Sequence, residues 1–274
     1  MITFPNAKIN LGLNILQRRP DGYHDISGVM IPAAWCDILE IVPAKGSTST
    51  LTVTGRAVAC PPESNLVMKA YRRLSEAIAL PPVDIFLHKI IPDGAGLGGG
   101  SSDAAFTLTT LNTLFELDID ADTLAGIAAT IGADCPFFIY NRPMLISGTG
   151  TTLTPIEVGQ CQGKSLLIIK PSDSVSTARA YAGVTPSFPA KDIRDIIAQP
   201  IDTWQAELHN DFEPSVGQVL PIIANLKRQL YEYGAEYAAM SGSGSAVFGI
   251  FPDDKMAERA SAAFDGFYRH VCPI

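Results

Sequence analysis

Positive charge is scarce in this chain: 20 Lys and Arg stand against 28 Asp and Glu, giving a formal net charge of -8 over 274 residues. Nucleic acid is held by many cations that neutralise phosphates, so no nucleic-acid partner is expected; a small charged ligand needs only a local positive spot. Cysteine is sparse too. Cys36, Cys60, Cys135, Cys161 and Cys272 are odd in number, widely spaced and never form Cys-x-x-Cys. That suggests neither a disulfide framework nor a zinc site and points to reduced thiols. No stretch reaches the roughly 18 uninterrupted apolar residues of a membrane span. Met1 to Lys8 lacks a charged head followed by a hydrophobic run, so a cytoplasmic protein with no membrane partner is expected. Internal repeats and low-complexity tracts are missing as well.

What is present is an ordinary globular composition, 47% apolar and 18% charged, in a chain longer than one average domain. Alternation over 7–16, 38–42, 51–54 and 83–87 predicts strands, and helical spacing over 65–79 predicts a helix capped by Ser64. Two consecutive helices follow over 102–117 and 121–131. Asp118, Asp120 and Asp122 between them read as a solvated turn with helix-start acids, since a calcium loop would need a later glycine and glutamate. Past residue 155 the pattern restarts. Strands are expected over 164–170, 236–240, 246–251 and 267–271, and helices over 177–182, 190–198, 221–233 and 254–264. The fold class is therefore α+β in two halves, with domains over 1–155 and 156–274.

Between the strand at 83–87 and the helix after it lie Pro92, Asp93, Gly94, Ala95, Gly96, Leu97, Gly98, Gly99, Gly100, Ser101 and Ser102. Glycine lets backbone N–H groups approach an anion, and a helix starting directly afterwards adds its unsatisfied amides and the positive end of its dipole. This is the pattern of a phosphate loop. Gly94 to Gly99 satisfies Gly-x-Gly-x-x-Gly, but a dinucleotide site would need a strand ending in an acid about 20 residues on, and here a helix leads to another helix. The Gly-Lys-Ser/Thr ending of a Walker loop is missing, and the nearest lysine, Lys89, precedes the loop. A glycine-rich connection without a ligand is the bland alternative.

The segment Pro92 to Ala104 resembles the phosphate loop of the GHMP kinases, named for galactokinase, homoserine kinase, mevalonate kinase and phosphomevalonate kinase. Pro5-Asn6-Ala7-Lys8-Ile9-Asn10-Leu11-Gly12-Leu13 is similar to their N-terminal motif, and Met240-Ser241-Gly242-Ser243-Gly244-Ser245-Ala246-Val247-Phe248 to their C-terminal glycine motif. Within that superfamily, Arg18 to His24, Ile131 to Phe138 and Asn210 to Pro214 resemble one branch. Its members transfer the ATP γ-phosphoryl group to the 2-hydroxyl of a cytidine-diphosphate-linked methylerythritol in the non-mevalonate isoprenoid pathway. The resemblance implies a GHMP kinase fold with a ribosomal-S5-like N-terminal lobe and a ferredoxin-like C-terminal lobe, in a monomer or homodimer.

It also implies roles. Asp134 would accept the proton of the acceptor hydroxyl, and Lys8 would keep that carboxylate ionised and stabilise developing charge. Residues 92–102 would hold the ATP phosphates, and Asn65 the adenine. Mg²⁺ is implied by the chemistry; Ser102 is a plausible neighbour, although no protein ligand is assigned and helix capping accounts for Ser101 and Ser102 equally well. Tyr23 and His24, in a polar loop, would stack on and hydrogen-bond the cytosine, with Tyr181 across the base. Asn10, Ser243 and Gly244 would complete substrate binding. The bland alternatives are a solvated lysine, a capping aspartate, a packed tyrosine and a flexible hairpin. Another kinase of the superfamily and a noncatalytic nucleotide sensor remain the rival functions.

Overall fold

Alternating and continuous apolar runs build twelve strands among the described residues of this computed structural model, which are 1–58 and 60–274. In chain order they are β1 (Ile2–Thr3), β2 (Asn6–Arg18), β3 (His24–Cys36), β4 (Ile38–Pro43), β5 (Thr50–Gly55), β6 (Val83–Lys89), β7 (Met144–Ser147), β8 (Thr152–Pro155), β9 (Ser165–Lys170), β10 (Tyr237–Met240), β11 (Val247–Phe251) and β12 (Tyr268–Pro273). The first helices are α1 (Leu66–Ala77), α2 (Gly99–Leu114), α3 (Ala121–Ala129) and α4 (Cys135–Tyr140). Then come α5 (Thr177–Ala182), α6 (Ile193–Ile197), α7 (Trp204–Glu207), α8 (Glu213–Val219), α9 (Ile222–Glu232) and α10 (Asp254–Ser261).

The chain forms two compact units whose segments interleave. The first comprises residues 1–7, 36–93 and 98–142; the second comprises 8–35, 94–97 and 143–274. In the first unit a sheet of order β1-β4-β6-β5 carries the parallel pair β5 and β6, and α1 lies in the crossover that such a pair needs. Val83, Ile85, Leu87 and Lys89 of β6 point inward, while Asp84, Phe86 and His88 face outward. The inward side meets Val67, Ala70 and Leu74 of α1, Ala104, Leu108 and Leu111 of α2, and Leu124 and Ala128 of α3. Leu39 and Ile41 of β4 complete that core.

Two helix starts differ from expectation. Asn65, not Ser64, caps α1: its Oδ1 accepts the Val67 N–H at 2.9 Å, while Ser64 ends a short 3₁₀ turn. Helix α2 begins at Gly99, ahead of Ser102, because Gly98 at φ +72° makes the turn into it. Asp120 caps α3 through the Thr123 N–H, as the helix-start acids predicted.

The second unit holds two antiparallel sheets, β2-β3-β7-β8 and β10-β11-β9-β12. Strands β9 and β11 are buried along their whole length because each has a neighbour on both sides and helices α9 and α10 packed on the sheet. His24 opens β3 instead of lying in a polar loop. Strands β3, β7 and β8 and helices α4, α7 and α8 are additions to the sequence reading.

Candidate active site

In the second unit the three glycine-bearing motifs meet around the amine of Lys8. Lys8 lies on β2, only 3% exposed, and its Nζ donates to Asn10 Oδ1 at 2.5 Å. Its backbone N–H donates to Leu97 O of the glycine loop at 2.9 Å. The neighbouring loop carbonyls are bound by the other motif: Ala246 N–H donates to Ala95 O at 3.0 Å, and Ser241 Oγ to Gly96 O at 2.9 Å. The fit is close enough that a Cβ on Gly96 would stand 2.1 Å from Ser241 O, so only glycine serves there. Asn210 holds the turn from below, donating through Nδ2 to Met240 O at 2.7 Å and to Gly242 O at 2.8 Å. Ser243 lies at the tip of this turn, 3.1 Å from the Thr177 hydroxyl.

A cavity of about 760 Å³ opens in the same unit, lined by Arg18, Tyr23, His24, Thr149, Thr177 and Tyr181 among others. The His24 ring stacks on Tyr181 with centroids 4.8 Å apart and planes at 22°, and Tyr181 stands edge-on to Phe212. Tyr23 is 67% exposed, and its backbone N–H donates to Asp21 Oδ1 at 3.1 Å, which fixes the tight turn before β3. The cavity lining therefore carries a prebuilt aromatic stack and an exposed tyrosine.

In the first unit Asp134 occupies the residue before α4 in right-handed helical conformation, and its side chain makes no capping bond to that helix. Helix α4 packs on α2, and burial pushes the Cys135 thiol up to about 11. Ser102 Oγ is buried with no partner. Neither Ser101 nor Ser102 caps α2, so capping does not account for them.

The model of GHMP kinases N terminal domain matches residues 65–142, and that of GHMP kinases C terminal matches residues 193–270. A 4-diphosphocytidyl-2-C-methyl-D-erythritol kinase of Parabacteroides distasonis is 50% identical over 251 residues, 92% of each chain. One of Bacteroides fragilis is 47% identical over 261 residues, 94% of this chain and 95% of that one. The chain belongs to the 4-diphosphocytidyl-2-C-methyl-D-erythritol kinase family of GHMP kinases. A crystal structure of 4-(cytidine 5'-diphospho)-2C-methyl-D-erythritol kinase superposes over the full length of both chains with TM-score 0.81 at 31% identity. Homoserine kinase from Cytophaga hutchinsonii, at 16% identity and TM-score 0.71, shares the fold.

The expected α+β GHMP kinase fold therefore holds. Within the second unit, Lys8, Asn10, the loop residues 94–97 and the turn at Ser243 and Gly244 form one frame; Tyr23, His24 and Tyr181 line one cavity. Asn65, Asp134 and residues 98–102 belong to the first unit. Two features were not foreseen in the sequence of this family member. Arg18 and Thr149 line the cavity beside the aromatic residues. Asp37, Lys89 and Asp103 form a buried charge cluster at the flanks of the glycine loop. The alternation of β6 carried the signal for the second, since it puts Lys89 on the same side as Val83, Ile85 and Leu87.

Proposed function

We propose that this chain is an ATP-dependent kinase that phosphorylates the 2-hydroxyl of 4-diphosphocytidyl-2-C-methyl-D-erythritol. The observation that carries the reading is the convergence of β2, the glycine loop and the Ser241–Ala246 turn on the Lys8 amine. A buried ammonium at the glycine loop suits a transferring phosphoryl group, because that group's charge spreads over the equatorial oxygens as the bonds loosen. Residues 92–102 bind the ATP phosphates, and Asn65 helps to seat the adenine while it caps α1. Asp134 accepts the proton of the acceptor hydroxyl, and Lys8 stabilises the charge that develops. Tyr23, His24 and Tyr181 hold the cytosine, with Asn10, Ser243 and Gly244 on the rest of the acceptor.

Mg²⁺ belongs to this reading. Ser102 Oγ fits it, being a buried hydroxyl oxygen with no partner in the first turn of the helix behind the loop. When bound, the cation neutralises charge on the β- and γ-phosphate oxygens. By sequence the domains run over 1–155, which carries the loop, and 156–274, a division that the interleaved compact units cut across, and the enzyme works in the cytoplasm.

The test is phosphate transfer by purified protein with ATP and Mg²⁺, offered the cytidyl acceptor, mevalonate or homoserine, with product identified by mass. Selective turnover of the cytidyl acceptor is expected. Turnover of another alcohol alone would refute the cytosine roles, and ATP binding with no turnover of any would favour a nucleotide sensor.

A further inference from the structure

In the first unit, where the chain enters and leaves the glycine loop, one lysine is shared by two carboxylates. Lys89 Nζ, at the end of β6, donates to Asp37 and, at 2.7 Å, to one oxygen of Asp103 in the first turns of α2. Asp37 is fully buried, Lys89 is 6% exposed and Asp103 is 2% exposed. The other Asp37 oxygen accepts the N–H groups of Ile90 and of Ile91, the latter at 2.8 Å. These residues lead directly into Pro92 and the loop. The cluster thus grips both arms: through Asp37 the chain entering the loop, and through Asp103 the helix leaving it. The helix start sits directly on it, for a Cβ on Gly99 would be 3.1 Å from Ile91 Cγ2 and 3.4 Å from Lys89 Nζ.

Three buried ionisable side chains are a costly way to hold a helix against a strand, since well-packed apolar residues of similar volume are often at least as stabilising. What an ion cluster supplies in addition is direction. Its hydrogen bonds fix the α2 start at one height and one rotation relative to β6, whereas apolar side chains permit sliding. The remaining Asp103 oxygen is buried without a partner, so this carboxylate is present for its bond to Lys89 and not for saturating its own acceptors.

We propose that Asp103 is a positioning residue for the phosphate loop: through Lys89 it ties the first turns of α2 to the end of β6 and so sets the span that the loop closes around the ATP phosphates. This rests on the reading of residues 92–102 as the ATP loop. Removing Asp103 leaves Lys89 paired with Asp37, so only the tie across the loop is cut. Asparagine at 103 retains an oxygen for Lys89 and restores the tie without the charge.

The experiment compares Asp103→Ala and Asp103→Asn with the unmodified protein by direct binding of a non-hydrolysable ATP analogue and by KM for ATP and for the cytidyl acceptor. Asp103→Ala is expected to weaken the analogue and raise KM for ATP about tenfold, with KM for the acceptor changed less than about twofold. Asp103→Asn is expected to recover most of that loss. Asp103→Ser, polar but too short to reach Lys89 Nζ, replaces the alanine variant if the latter does not fold. Three results overturn the proposal: unchanged analogue binding in the truncated variant, an equal rise in both KM values, or an asparagine variant as impaired as the alanine one. If the unmodified protein fails to bind the analogue, the ATP-loop reading falls and this proposal with it; unchanged binding in the variant alone leaves that reading intact.

Discussion

The amine of Lys8 lies 3.3 Å from the point where a Cβ on Gly242 would stand, and that same point is 3.2 Å from the Gly96 carbonyl oxygen. Gly242 also adopts φ +55°, a left-handed conformation that costs other residues on the order of 1–2 kcal/mol. The C-terminal glycine motif thus leaves the volume that the lysine and the loop occupy. Gly242→Ala is expected to fold with reduced stability and to lose at least about tenfold in kcat, because the added methyl displaces either Lys8 or the loop by a few tenths of an ångström or more. Thermal unfolding and steady-state turnover check both halves. A variant that loses stability but keeps kcat would show that the Lys8 position is not used in the reaction.

Asp134 separates the catalytic role from the bland one. A capping aspartate replaced by asparagine would retain its acceptor oxygen and change stability by only a few tenths of a kcal/mol, and here the side chain makes no cap bond in any case. As proton acceptor, Asp134→Asn is expected to lower kcat on the order of 10²-fold or more with little change in KM for either substrate. Turnover within a few-fold of the unmodified protein would remove Asp134 from the mechanism.

The sequence reading went furthest where local chemistry and tertiary need agree. The loop glycines, the amphipathic helices α1, α3 and α9 and the buried strands β9 and β11 carry their pattern in adjacent residues. Strand β3 does not: His24-Asp25 opens it with polar residues and Gly28 and Pro32 interrupt it, so its pairing partners, not its propensity, make it a strand. Strands β7 and β8 and helices α4 and α7 are too short for periodicity to register. In the site, the motif residues were legible because chemistry restricts their identity. The Asp37–Lys89–Asp103 cluster was not, because its members are far apart in sequence and a lone charged residue reads as solvated until the fold buries it.

The cavity at Tyr23 predicts a separation of substrate effects. Tyr181 stacks on His24 and meets Phe212 edge-on, so leucine at 181 removes both a stacking face and the support of the histidine ring. With stacking worth about 1–3 kcal/mol, Tyr181→Leu is expected to raise KM for the cytidyl acceptor about tenfold and to leave KM for ATP unchanged. Arg18, exposed on the cavity lining, is the cation there for an acceptor that carries a diphosphate. Arg18→Gln is expected to raise the acceptor KM about threefold at low salt and less at high salt, because an exposed charge is screened. Steady-state kinetics at two ionic strengths decides it. An Arg18 effect that salt does not move would mean packing, not charge.

Asp103 gives the protein a pH-dependent stability. Burial raises its carboxyl to about 7, and the Asp37 charge adds to the rise against the opposing pull of Lys89. In the unfolded chain the same group titrates near 3.8, so between about pH 4 and pH 7 the folded protein retains a proton that the unfolded chain has released. The stabilising difference is full below the unfolded value and is lost as pH rises through the folded one. Asparagine at 103 has no proton to lose. Between pH 5 and pH 8 the unmodified protein is therefore expected to lose stability relative to Asp103→Asn, so that the difference in Tm moves in the variant's favour by on the order of a few degrees. Thermal unfolding of both proteins across that range reads it directly. A Tm difference that stays constant with pH, or moves against the variant, would mean that Asp103 is already ionised in the fold and that Lys89 outweighs its burial.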